Sequence, residues 1–61
     1  SPGDLLRAAR LERAVALLAC SNQSIASIAH ACGYAHQSHL TRHLRQVHGV
    51  TPAVYRLGCR S

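Results

Sequence analysis

The sequence predicts an all-α fold, a small helical bundle that contains a helix-turn-helix. Apolar residues recur at helical spacing in successive segments, as expected of buried helix faces. Gly33 lies between two of these segments, where a tight turn is expected. With 61 residues, the chain has room for one small domain with a thin core. Phe, Trp and Met are absent, so that core must be built from Leu, Ile, Val and Ala.

The charge balance of the chain favours a nucleic-acid partner. Seven arginines face only Asp4 and Glu12, which gives a formal net charge of +5. In so small a domain, this excess is typical of proteins that bind polyanions. No apolar run approaches the roughly 20 residues of a membrane span, so no membrane partner is predicted. The three cysteines are odd in number and irregularly spaced, which favours a reducing cytoplasm over a disulfide framework.

Residues 1–20 are predicted to form one long helix that supports and links the rest. Ser1 and Pro2 are a helix-start signal, because a hydroxyl can cap the first turn and proline loses no hydrogen bond there. Nothing after them breaks a helix before the polar break that begins at Cys20. The predicted buried stripe of this helix consists of Leu11, Ala14, Val15 and Leu18.

Residues 24–48 are predicted to form the helix-turn-helix. Ser24 can cap a short helix, and Gly33 can take the positive φ of the turn that follows. The next helix is expected from about residue 36 to residue 48, ended by Gly49. Its predicted buried residues are Leu40, Leu44 and Val47.

Residues 51–57 are predicted to form a short closing helix. Thr51 and Pro52 repeat the hydroxyl-proline start seen at the beginning of the chain. Val54 and Tyr55 are expected to close the core, and the residues from Leu57 onward are expected to fray.

The outward arc of the 36–48 helix carries side chains that can hydrogen-bond to DNA bases. Gln can pair with adenine, Arg with guanine, Ser can donate or accept, and the Thr methyl can touch a thymine methyl. The predicted base contacts are Gln37, Ser38, Thr41 and Arg42. The predicted phosphate contacts are Ser24, His36 and Arg45.

Several separate blocks of sequence resemble one family. They are Ile28-Ala29-His30-Ala31-Cys32-Gly33-Tyr34, then Gln37-Ser38-His39-Leu40-Thr41-Arg42, then Gly49-Val50-Thr51-Pro52 and Tyr55-Arg56. In this order and spacing they resemble the signature of AraC/XylS-type transcription regulators. The similarity extends upstream through Arg10-Leu11-Glu12-Arg13-Ala14 and Leu17-Leu18, so it covers nearly the whole chain.

The resemblance implies a homeodomain-like DNA-binding domain that binds double-stranded DNA sequence-specifically. The protein is then a bacterial transcription regulator, cytoplasmic and nucleoid-associated. Members of the family have two helix-turn-helix units joined by a long helix. The chain then corresponds to the joining helix and the second unit, with the first unit and a sensor domain elsewhere in the full-length protein. The resemblance also allows RNA polymerase as a partner. No cofactor is predicted. No enzymatic activity is predicted either, because the two carboxylates both lie on the first helix without a plausible catalytic partner.

Two departures from the family pattern affect stability rather than DNA recognition. Many relatives carry Phe where this chain has Leu40 and Leu44, so a smaller core is expected. Ala35 stands where a capping Ser or Asp is expected. The start of the following helix is therefore expected to fray without DNA.

Three other interpretations of the residues stay open at this stage. His39 and His43 stand four apart on one helix, a spacing that can hold a metal ion, although the cysteines form no paired zinc motif. Cys32 beside a histidine-bearing helix could be a nucleophile, although buried inert thiols are more common. The long first helix could dock on a protein partner.

Overall fold

The computed structural model describes residues 2–60, and the side chains of residues 5–59. It contains four helices, α1 (Pro2–Cys20), α2 (Ile25–Ala31), α3 (Gln37–His48) and α4 (Pro52–Arg60). The described residues form no strand, and the predicted all-α class is confirmed. The predicted cap at Ser1 lies outside the described residues. None of the helices in the described range has the length and hydropathy needed to cross a lipid bilayer.

One aliphatic core joins the first three helices. Its most deeply buried side chains are Ala14 and Leu18 of α1, Ile28 and Ala29 of α2, and Leu40 and Leu44 of α3. Leu11 is also buried and Val15 is half-buried, so the stripe predicted for α1 does face the core. Because the fully buried side chains are all aliphatic, their close packing supplies most of the stability.

Two residues predicted to lie in the core are exposed instead. Val47 is 58% exposed, since it lies on the rim of an open groove that Leu11 and Val15 also line. Val54 is 52% exposed. The neighbouring Tyr55 packs against the core as predicted, because α4 turns that side chain and Arg56 toward α1.

The turn between α2 and α3 is a Schellman motif. The Gly33 N–H donates to the carbonyl of His30 at 3.2 Å, and the Tyr34 N–H donates to the carbonyl of Ala29 at 2.9 Å. Gly33 has φ = 88°, as its predicted role requires. Tyr34 follows with its ring buried against the core. The turn therefore combines satisfied backbone hydrogen bonds with an apolar anchor.

The same substitution at two glycines is expected to have opposite effects on stability. An alanine Cβ at Gly33 would lie 3.5 Å from Arg10 Nε, an ordinary contact, but φ there is in the left-handed region. Gly33→Ala should therefore lower the free energy of unfolding by about 1–2 kcal/mol. Gly58 lies within α4 with open space around its Cβ position, so Gly58→Ala should raise it by up to about 1 kcal/mol. Urea denaturation measures the free energy of unfolding of both variants. If both substitutions change it in the same direction, the left-handed conformation of Gly33 or the helical conformation of Gly58 is wrong.

The closing helix is longer than predicted. α4 continues to Arg60, where the sequence predicted a helix ending at residue 57 and a frayed tail. The Thr51 hydroxyl accepts a hydrogen bond from the Val54 N–H at 3.3 Å and so caps its start. The helix then persists because it packs along α1, and one internal glycine is tolerated at modest cost.

The start of α3 also differs by one residue from the prediction. The helix begins at Gln37, and the capping position is His36 rather than Ala35, with an extended backbone at φ = −145° and ψ = 158°. The His36 side chain makes no capping hydrogen bond. The missing cap thus results from the residue at position 36, because that residue, and not Ala35, precedes the first helical turn.

Candidate nucleic-acid interface

α3 separates a buried side from a polar, solvent-facing side. Leu40 and Leu44 are fully buried and fix the rotation of the helix against α1 and α2. Its other side forms a shallow concave surface, the α3 surface, lined by Gln37, Ser38, Thr41, Arg42, Arg45 and Gln46. The backbone of the following residue, Gly49, ends the helix with φ = 76°.

The structure places five of the seven predicted site residues together. All four predicted base-contacting residues and Arg45 line the α3 surface. Ser24 lies instead at the start of α2, and His36 lies just before α3. Sequence reasoning missed Gln46, although it follows Arg42 by one helical turn and helical spacing alone could have identified it.

Internal hydrogen bonds define what two of these side chains can offer a ligand. The Thr41 hydroxyl donates to the Gln37 carbonyl at 3.1 Å, so its proton is already engaged and its methyl group is the free part. The Ser24 hydroxyl accepts from the Ser27 N–H at 3.1 Å, which confirms its predicted capping role. Its own O–H remains able to donate, because accepting a hydrogen bond does not use the proton.

The α3 surface is strongly biased toward positive charge. Within residues 5–59 the only carboxylate side chain is Glu12, and it lies on α1. Arg42 and Arg45 are exposed on the surface itself. Since unopposed cations in a shallow depression attract an anion, the surface suits a polyanion.

A polar cluster ties the turn to α1 and α3. The Tyr34 hydroxyl lies 2.9 Å from His43 Nδ1, to which it donates when that nitrogen is unprotonated. The Arg10 guanidinium lies over the Tyr34 ring, 5.5 Å from its centroid. Burial raises the pKa of the Tyr34 phenol, and the charge of Arg10 opposes this only in part. The phenol thus stays neutral and serves as a hydrogen-bonding link between elements.

The surroundings of Cys32 do not activate its thiol as a nucleophile, and the described residues contain no clustered metal site. Burial raises the pKa of the Cys32 thiol above its ordinary value, although Arg13 and Arg10 act in the opposite direction. A raised pKa leaves the thiol protonated and unreactive at neutral pH. In the part of the chain whose side chains are described, no three His, Cys, Asp or Glu residues are grouped so as to hold a metal ion.

A three-helix core, a Schellman turn and a following helix with a cationic, hydrogen-bonding surface define a DNA-binding helix-turn-helix domain. A family model described as "Helix-turn-helix domain" matches residues 1–58. The chain belongs to this family, the AraC-type helix-turn-helix proteins, as the sequence signature predicted. No curated protein and no solved structure matches the chain.

Proposed function

We propose that the chain binds double-stranded DNA sequence-specifically as part of a bacterial transcription regulator, with α3 in the major groove. The observation that carries the proposal is the α3 surface, where six side chains able to hydrogen-bond project away from the buried Leu40 and Leu44. A major groove about 12 Å wide admits a helix, and base edges there present distinct donor and acceptor patterns.

Each polar side chain of the α3 surface suits a particular contact. Gln37 and Ser38 form the first turn of the helix, the part that usually enters deepest into the groove. The Gln37 amide can pair with adenine, and the Arg42 guanidinium with guanine O6 and N7. Thr41 offers its methyl group to thymine, because its hydroxyl proton is held by the Gln37 carbonyl.

Contacts to the sugar-phosphate backbone position the helix without reading sequence. We assign this role to Ser24, His36 and Arg45. Ser24 keeps an O–H donor, His36 is exposed at the entry to α3, and Arg45 is exposed one turn beyond Thr41. Such contacts make affinity fall steeply with salt.

Two exposed leucines on α1 are suited to contact a neighbouring unit of the full-length protein. Leu5 is 74% exposed and Leu6 is 60% exposed, and both precede the part of α1 that packs in the core. We assign them to contact with an upstream helix-turn-helix unit. A protein partner docked on α1 is the alternative that the same leucines favour. With one unit bound, affinity should be little better than the roughly 10⁻⁴–10⁻⁶ M of non-specific binding.

The proposal is tested by selecting bound sites from a random duplex library with the chain, both alone and extended by its natural upstream sequence. Enrichment of a common motif, and loss of that motif in a Gln37→Ala/Arg42→Ala variant, is the expected result. The matched control is Arg13→Ala, which removes an exposed arginine of α1 outside the α3 surface. Equal retention of all sequences would overturn sequence-specific binding.

Thr41 offers a finer test of how the α3 surface contacts bases. Thr41→Val keeps the methyl group and should leave affinity for the selected duplex nearly unchanged. Thr41→Ser removes the methyl group and should weaken binding about fourfold at a thymine-containing site, since burying a methyl-sized group is worth about 0.8 kcal/mol. Fluorescence anisotropy with thymine and uracil duplexes measures the effect. The opposite order would show that the hydroxyl makes the contact.

A further inference from the structure

A second polar depression lies beside the α3 surface, between α1 and α3. We call it the α1–α3 cleft; it is lined by Arg7, Arg10, Tyr34, His39, Arg42, His43 and Gln46. Arg42 and Gln46 line both this cleft and the α3 surface. The two depressions therefore adjoin each other along Arg42 and Gln46.

We propose that the α1–α3 cleft holds a phosphate of the DNA backbone, with Arg7 and Arg10 of α1 as its donors. The inference rests on the proposed function, because a duplex read by α3 brings one flanking strand past the cleft. The proposal adds a DNA contact from α1, the helix for which the sequence predicted a supporting and linking role. The ligand chemistry is a phosphodiester oxygen, which a free phosphate anion shares.

The state of Arg10 fits such a role. Its guanidinium lies over the Tyr34 ring. Its Nε would lie 3.5 Å from a Cβ atom added at Gly33. The half-buried side chain is thus held over the turn before any ligand arrives. A contact with the ring face uses the charge of the guanidinium but none of its N–H donors, which lie in its plane. Preorganised donors of this kind bind an anion at little entropic cost.

Arg7 provides an exposed charge one turn before Arg10. Its side chain has no hydrogen bond and no ion pair with another described residue, and the same holds for the side chain of Arg42. Arg7 and Arg42 therefore keep both their charge and their N–H donors available to a ligand, whereas Arg10 keeps its N–H donors. Arg10 holds an anion at the turn, and Arg7 extends the contact along the strand.

The test compares Arg7→Ala with Arg13→Ala, since each removes one exposed arginine from α1 and only Arg7 lines the cleft. Affinity for duplex DNA is measured by fluorescence anisotropy over a range of salt. Arg7→Ala should lower affinity roughly tenfold near 50 mM salt and reduce the salt slope by about 0.9, because one phosphate contact is lost. Arg13→Ala should change affinity about twofold or less, through the screened field alone.

Duplexes with one neutral methylphosphonate at a time locate the contact. When the methylphosphonate replaces the contacted phosphate, Arg7→Ala should cause no further loss of affinity. Arg13→Ala should have the same small effect on affinity wherever the methylphosphonate is placed. Equal effects of the two variants on every duplex would overturn the proposal. Circular dichroism melts verify that both variants remain folded, which the exposure of both side chains predicts.

Two further arms separate the alternatives. The first titrates inorganic phosphate while the NMR signal of Arg10 Nε is followed. If Arg7→Ala abolishes a phosphate response but matches Arg13→Ala on DNA, the cleft binds free anions and the DNA assignment is wrong. The second compares selected and unrelated duplexes. If Arg7→Ala lowers affinity tenfold on both duplexes and the parent chain shows no sequence preference, the cleft contact is supported and sequence-specific binding is rejected. If the parent chain prefers the selected duplex and Arg7→Ala has no effect, only the cleft contact is rejected.

Discussion

Arg56→Ala is expected to lower the free energy of unfolding by about 2 kcal/mol, because hydrogen bonds to charged groups are worth about 1.5–3 kcal/mol. Arg56 Nε donates to the Leu18 carbonyl at 3.2 Å, and its terminal nitrogen donates to the Ser21 carbonyl at 3.3 Å. The Leu18 carbonyl lies in the last turn of α1 and the Ser21 carbonyl lies just beyond it, a region where helix carbonyls have no intrahelical partner. A half-buried cation from α4 thus caps α1 across 35–38 positions of sequence.

The cap explains how a short chain ends its longest helix. The last turn of α1 contains no basic residue of its own. The Leu17 carbonyl is served locally, by the Ser21 N–H at 2.9 Å and the Ser21 hydroxyl at 2.7 Å. The Leu18 carbonyl instead accepts a hydrogen bond from Arg56. The positive charge of Arg56 also interacts favourably with the negative, C-terminal end of the helix dipole.

Urea denaturation followed by circular dichroism measures the Arg56 effect, with Arg13→Ala as the matched loss of an exposed arginine. The control should change stability by no more than about 0.5 kcal/mol. Arg56→Lys should fall between the two, because an ammonium cannot reproduce the spacing of two guanidinium donors. A loss of less than about 0.5 kcal/mol in Arg56→Ala would show that the carbonyls are satisfied equally well by water.

Arg42→Ala is expected to cost about 1–3 kcal/mol of binding on the selected duplex and to relax base choice at one position. The reason is the loss of a planar pair of donors that matches guanine O6 and N7. Arg42 is exposed and lies where the α3 surface meets the α1–α3 cleft. Repeating the site selection with the variant, alongside anisotropy on single-base variants of the parent site, measures both effects.

Arg45→Ala is the matched comparison on the same helix. It should weaken all sequences alike and reduce the salt slope by about 0.9, the signature of one lost phosphate contact. The two arginines are distinguished by how the loss of affinity varies among duplex sequences, and not by how large that loss is. If Arg42→Ala also weakens every duplex equally, Arg42 holds a phosphate and the base-reading assignment moves to Gln37 and Ser38.

The helices and their turns were largely predictable because their signals are local. Ser24 caps α2, Gly33 and Gly49 take positive φ, and Leu40 and Leu44 face inward, as helical spacing and residue chemistry predicted. The errors occurred where packing decides between equivalent local choices. Val47 and Val54 have suitable spacing and chemistry for burial, yet the elements within the described range leave more than half of each side chain exposed.

What the sequence alone determined is the all-α class, the family, and the set of hydrogen-bonding side chains on one side of α3, because each depends on residues near one another in the chain. Only the tertiary structure brought Arg56 onto the end of α1 and placed Arg7 and Arg10 beside Arg42. Those contacts join residues about 30 or more positions apart, and their formation depends on how the aliphatic core sets the helices against one another. Helical periodicity describes the faces of one helix, whereas the packing of Leu18, Leu40 and Leu44 determines which faces meet.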